Sequence, residues 1–223
     1  DAAVAIATDL DRVPSAQFDD WSQTLTASAR NRAAAFRSVR RYRHFVAGRV
    51  LLAQLLATEL NHSSQTLVAQ ISEHHDGRPR LSGCDVHCSI SHSGSAVMAG
   101  FSKLAPIGVD IEQHRPRDFQ RLVAEYFHAD EYRAFSLLQP DQQSGWFYGM
   151  WTRKEAEVKA KGEGLTLQRL GSLSESSPRS HALEMCCIPD YTACALHCHP
   201  MAASPLQACY CAQTGEIRIL SSA

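Results

Sequence analysis

Between Val86 and Gln113 the chain reads as three strands in succession with no helix between them. "VHCSISHSGSAVMAGFS" holds two strand-like pieces interrupted at "SHSGS", residue types suited to a tight turn, and "IGVDIEQ" follows after "KLAP". Long helical stretches flank this region. One is arginine-rich and runs to about Asn61; the other, "QSGWFYGMWTRKEAEVKAKG", ends at Gly162 or Gly164. A parallel sheet needs a crossover, usually a helix, between successive strands. The observed order lacks that alternation and predicts an α+β fold. Shorter helices are expected in "RPRDFQRLVAEYF" and "ADEYRAFSLL", and a strand at "VAIAT". Loops are expected over "EHHDGRPRLSG" and "GSLSESSPRS", and tail strands around a turn at "QTGE".

With 223 residues the chain is long enough to bury a sizeable core, as one domain or two compact halves. A hydrophobic share of 44% with 20% charged residues is ordinary for a globular protein. No apolar run approaches the roughly 18 residues that span a bilayer, so no membrane segment is expected. No basic segment followed by an apolar run opens the sequence, so no secretory leader is expected. Eight cysteines are too sparse here for an oxidised scaffold, and free thiols in a reducing compartment are expected. Six of them crowd residues 186–211 with His197 and His199. Their spacing matches no common zinc ligand pair, which favours cysteines packed as small hydrophobes in strands over a metal site.

The net charge of −1 is uninformative, but its distribution is not. From Ala27 to Thr58 there is no Asp or Glu, while Arg30, Arg32, Arg37, Arg40, Arg41, Arg43 and Arg49 all occur. Phe45, Leu52 and Leu55 give the same stretch an apolar face. Solvated helix faces usually mix signs, so an acid-free arginine face points to an anionic partner. The charge pattern leaves nucleic acid, a phosphorylated small molecule and an acidic protein open.

Chemistry concentrates in two places. In "IGVDIE" the alternation puts Ile107, Val109 and Ile111 on one face and Gly108, Asp110 and Glu112 on the other. Two carboxylates two residues apart can converge on one hard cation, although a plain solvated edge gives the same pattern. The chain has only four lysines, and three of them fall in "WTRKEAEVKAK". Glu155–Lys159 and Glu157–Lys161 are each i,i+4 pairs. Glu157–Lys161 reads as a surface pair. Glu155 could instead add a third carboxylate to the strand pair, with Lys159 one turn on. Three acids beside a lysine suit a phosphate bound through a divalent cation.

"GVDIE" followed by "WTRKEAEVK" resembles the signature of 4′-phosphopantetheinyl transferases of the surfactin-activating (Sfp-like) type. "AGRVLL" around Arg49, "DGRP" at 76–79, "SISHSG" at 89–94 and "FHADEY" at 127–132 add to the resemblance in the expected order, over roughly residues 45–170. The resemblance implies transfer of the phosphopantetheine arm of coenzyme A to a serine of an acyl, peptidyl or aryl carrier protein, with Mg²⁺ or Mn²⁺. Carried over by position, Asp110, Glu112 and Glu155 hold the metal. Glu155, or a metal-bound water, takes the serine proton, and Lys159 steadies the pyrophosphate. Ser91 and His92 match a phosphate-binding pair, with His92 and Arg49 on the 3′-phosphate. Arg78 and Pro79 fall where the family contacts the adenine nucleotide. A lysine is common at the Arg78 position, and arginine keeps the charge but changes the geometry.

The resemblance further implies two pseudo-symmetric halves, 1–105 and 106–223, with the nucleotide between them. It also implies a cytoplasmic monomer that docks an acidic carrier protein transiently, without nucleic acid or membrane. Plainer roles exist for single residues: a turn histidine at His92, a turn serine at Ser91, an ion pair of Arg49 with Glu59 or another acid, and a structural Lys154. The alternative functions are another Mg²⁺-dependent, pyrophosphate-cleaving nucleotide hydrolase, or a non-catalytic module that binds coenzyme A or a carrier.

Overall fold

The computed structural model describes residues 2–74, 77–162, 181–185, 188–197, 209–212 and 219–220; for 181–185, 197, 209–212 and 219–220 only the backbone is described. The chain begins with β1 (Ala2–Ala7), a 3-10 turn at Leu10–Arg12, and helices α1 (Ser15–Thr24), α2 (Ala27–Ala34), α3 (Val39–Leu60) and α4 (Ser64–Val68). A short hairpin, β2 (Ile71–Glu73) and β3 (Pro79–Leu81), precedes β4 (His87–Ser93), β5 (Ala96–Ser102) and β6 (Ile107–Gln113). Helices α5 (Phe119–Tyr126), α6 (Ala129–Ser136) and α7 (Pro140–Lys161) follow, then β7 (His181–Met185), β8 (Tyr191–His197), β9 (Cys209–Ala212) and β10 (Ile219–Leu220). The α+β expectation holds, with strands and helices in irregular order.

The arginine-rich stretch is two helices, not one. Ser38 accepts a hydrogen bond from the Arg41 backbone N–H and starts α3 afresh, as an N-cap serine does. The region read as a loop around Arg78 contains the antiparallel pair β2–β3, in register Ile71↔Leu81 and Glu73↔Pro79. Three-residue strands carry too little periodicity to be seen in sequence. The long helix starts at Pro140, earlier than the helical pattern suggested, because proline fits its first position. It ends at Gly162, in the left-handed conformation.

The first sheet has the order β10-β9-β1-β5-β4, the second β6-β8-β7. On one side of the first sheet α3 buries Leu51, Leu52, Leu55 and Leu56 with Val97, Ala99 and Phe101. On the other side Val4, Ile6 and Met98 meet Ile107, Val109 and Ile111 of β6, the apolar face foreseen for that strand. An aromatic cluster of Phe127, Phe135, Phe147 and Tyr148 joins α5, α6 and α7. The chain steps from the first sheet to the second in the turn after β5, where the Ser102 hydroxyl accepts the backbone N–H groups of Leu104 and Ala105. β9 pairs in parallel with β1, so β9 and β10 extend the first sheet.

Cys194 is buried against Ala156, Ala160 and Leu196, a small hydrophobe in a strand as expected. Cys186, Cys187, Cys198 and His199 lie outside the described residues. So do the polar loop over 171–180 and the turn at "QTGE".

Candidate active site

β4, β6 and α7 build the site. Ser89, Ser91 and Ser93 alternate along β4 and all turn toward β6. The Ser89 hydroxyl accepts the Val109 N–H at 3.1 Å, Ser91 donates to Asp110 Oδ1 at 2.7 Å, and Ser93 donates to Glu112 Oε2 at 2.9 Å. The intervening residues face α3: Ile90 packs near Gly48, and the His92 ring stacks on His44 at 4.4 Å between centroids. Ser91 and His92 therefore serve opposite faces of the strand.

α7 reaches β6 because Gly108 lets it. A β-carbon on Gly108 would lie 1.8 Å from the Ala156 carbonyl oxygen and 2.6 Å from the Ala160 nitrogen, so only a glycine permits this approach. The missing side chain at Gly108 thus admits a helix. That contact carries Lys159 over the strand. Its Nζ donates to Asp110 Oδ1 at 2.6 Å and Ser91 Oγ at 2.9 Å, and stands 3.6 Å from Glu155 Oε2. The structure therefore brings Asp110, Glu155, Lys159 and Ser91 together, with Glu112 beside them.

Negative charge is in surplus here. Burial, then Asp110, raises the Glu155 pKa to about 7 even against the pull of Lys159. Burial and Asp110 also raise that of Glu112. Lys159 binds its proton more tightly than usual: burial opposes the charge, but Asp110 and Glu155 outweigh it. Asp110 Oδ2 is buried without a hydrogen-bond partner. An orphaned carboxylate oxygen and an acid held half-neutral at pH 7 are what a bound divalent cation would correct, and an all-oxygen donor set suits Mg²⁺ or Mn²⁺. In chemistry the residues fit such an ion. In geometry, no group of three or more His, Cys, Asp or Glu among the described residues is arranged to hold one.

Arg49 is buried on α3, ion-paired with Glu73 of β2, and its guanidinium lies 3.3 Å from the centre of the Phe45 ring. Glu73 also takes Arg32. The acid partner is thus Glu73 rather than Glu59, which pairs with Lys103. Arg78 and Pro79 line a cavity of about 490 Å³ with His87, Cys88, Pro106 and Ile107. None of the Asp110 cluster lines it.

His44 was not singled out in the sequence, hidden in a run of arginines. Its Nε2 is 3.0 Å from the Gly94 carbonyl, which fixes Nε2 as the protonated nitrogen. Burial lowers its pKa, and burial with His44 and Lys159 pushes His92 down to about 4. Lys154 is structural: it meets Glu131 of α6 at 2.7 Å, both side chains 5% exposed, above the Phe127 ring.

The same stretch of chain is what known proteins share. A family model described as the 4′-phosphopantetheinyl transferase superfamily matches residues 106–211, which include β6 and α7. The 4′-phosphopantetheinyl transferase AcpT of Salmonella typhimurium is 32% identical over 146 residues, covering 64% of this chain and 69% of that protein. The chain belongs to the 4′-phosphopantetheinyl transferase family. Among the Sfp-type members, Sfp of Bacillus subtilis is 36% identical over 107 residues, 44% of this chain and 47% of that protein. Psf-1 of Bacillus pumilus is 30% identical over 131 residues, 56% of this chain and 55% of that protein. The chain thus spans about half the length of these Bacillus relatives.

Proposed function

We propose that this phosphopantetheinyl transferase moves the 4′-phosphopantetheine arm of coenzyme A to a serine of an apo acyl, peptidyl or aryl carrier protein, releasing adenosine 3′,5′-bisphosphate. The observation that carries the reading is the Asp110–Glu112–Glu155 acid set gathered around Lys159 where β4, β6 and α7 meet. Asp110, Glu112 and Glu155 would hold Mg²⁺ or Mn²⁺, which when bound supplies positive charge against the pyrophosphate.

Within the chain, Glu155 is the proton acceptor. Beside a bound cation it would be held ionised, the form that accepts a proton. It takes the proton of the carrier serine as that oxygen attacks the phosphorus bearing the pantetheine arm. The bond from that phosphorus to the bridging oxygen breaks, and its electron pair leaves on the 5′-phosphate of the bisphosphate. Lys159 neutralises charge on the phosphoryl oxygens as this occurs. Ser91 holds Asp110 and receives the Lys159 donor, so it fixes both groups. Arg78 and Pro79 line the cavity that suits the adenine nucleotide, and His92, backed by His44, suits the 3′-phosphate. Arg49 is proposed for the same end, released from Glu73 by the ligand.

The halves 1–105 and 106–223, without the strands the tail returns to the first sheet, would enclose coenzyme A between them. Arg37, Arg40 and Arg41 are exposed around the N-terminus of α3 with no acid in its first turn. Cations are disfavoured at that end of a helix, which suits docking of an acidic carrier protein by a monomer in the cytoplasm. No helix among the described residues is long and apolar enough to cross a membrane. Release of adenosine 3′,5′-bisphosphate that requires apo carrier protein tests the reaction. Release without any carrier would make the chain a pyrophosphate hydrolase instead.

A further inference from the structure

The cavity wall and the helix that carries Glu155 and Lys159 meet at one residue. α7 ends at Gly162, whose φ of 69° is left-handed and whose backbone N–H bonds to the Lys159 carbonyl at 3.2 Å. The volume a side chain would take there is filled by Arg78. A β-carbon on Gly162 would lie 2.7 Å from the Arg78 Cζ, 2.7 Å from Nη2 and 2.8 Å from Nη1. Three guanidinium atoms at nearly equal distance mean that the planar group presents its face to the glycine. Its charge also stands at the negative end of α7, where a cation is favoured. At the other side of the same turn, Ala156 and Ala160 rest on Gly108. The end of α7, which carries Lys159, is therefore held between β6 and Arg78. Arg78 itself belongs to the hairpin: its carbonyl accepts the His74 N–H at 2.8 Å, and it lines the cavity beside Pro79.

We propose that Arg78 is a positioning residue: its guanidinium, laid over Gly162, sets the last turn of α7 and with it Lys159, so that filling the cavity is coupled to the acid–lysine cluster. Lysine would supply the charge without the flat face, which is why arginine and a cap glycine belong together here. This coupling rests on the transfer reading above; the contact with the helix end does not.

The test uses Arg78→Lys and Arg78→Ala in the full chain. In transfer assays Arg78→Lys lowers kcat about tenfold, a larger factor than any rise in the KM for coenzyme A. Guanidinium ion added to Arg78→Ala recovers part of kcat, and ammonium does not. A raised KM with kcat intact would mean an ordinary ligand contact and would overturn the proposal. Amide hydrogen exchange is measured in parallel without ligand, metal or carrier. Residues 158–162 exchange faster in Arg78→Lys than in wild type, while β5 is unchanged; equal exchange overturns the proposal whatever the assays give. If wild type transfers nothing to any carrier, the functional reading fails, and the exchange result still decides whether Arg78 holds the helix end.

Discussion

Glu155 carries an electrostatic cost that pH can expose. Its pKa is about 7 in the fold because burial and Asp110 disfavour its charge, against about 4.3 in an unfolded chain. A carboxyl raised in this way contributes stability that is present below the unfolded value and lost as pH rises through about 7. The Tm of wild type should therefore fall relative to Glu155→Gln between pH 4.5 and 7.5, measured without divalent metal. A difference between the two that does not change with pH would contradict the assignment. The acid set itself was legible in "GVDIE" and "KEAEVK", since a period of two and an i,i+4 step place side chains on known faces. The stacking of His44 on His92 was not, because it joins α3 to β4 across 48 positions of sequence.

α7 does two jobs along its length. Its early turns pack the aromatic cluster, and its last two turns face β6. Lys154 ties it to α6 through Glu131, which also accepts the His128 N–H and so caps α6. Removing one partner of a buried pair strands the other, so Lys154→Met should cost about 3 kcal/mol in chemical denaturation, with part regained on adding Glu131→Gln. A cost under about 1 kcal/mol would mean that the pair is solvated. That this helix faces the strand could not be read from sequence spacing. It depends on Gly108 meeting Ala156 and Ala160, three small residues whose meaning appears only once the elements are packed. The Glu73 partner of Arg49 was obscured for a related reason: β2 is three residues long and leaves no periodic trace.

Across the whole molecule, the β2–β3 hairpin, the segment leading into β4 and the start of β6 line the cavity, α2 and α3 carry the arginines, and the second sheet with α7 presents the acids and lysine. The chain crosses between the two sheets at 103–106, where Ser102 accepts the Leu104 and Ala105 N–H groups. The return of β9 to β1 was not readable in the sequence, because a parallel pairing between chain ends leaves no local pattern. Of the seven arginines in the acid-free stretch, Arg32 and Arg49 hold Glu73, Arg30 caps carbonyls of Gln23 and Leu25, and Arg43 donates to Ser15. That leaves Arg37, Arg40 and Arg41 turned outward for a partner. Arg40→Glu with Arg41→Glu should raise the KM for carrier protein several-fold, more at low salt, with the KM for coenzyme A unchanged. Movement of the coenzyme A value alone would rule out docking there. The central claim is tested most directly by intact-mass spectrometry of an apo acyl carrier protein incubated with the chain, coenzyme A and Mg²⁺, beside Asp110→Ala. A gain of roughly 340 Da on the carrier, the mass of one covalently attached phosphopantetheine, that disappears with Asp110→Ala is the predicted result. An unshifted carrier with wild type, across acyl, peptidyl and aryl carriers, would contradict the account.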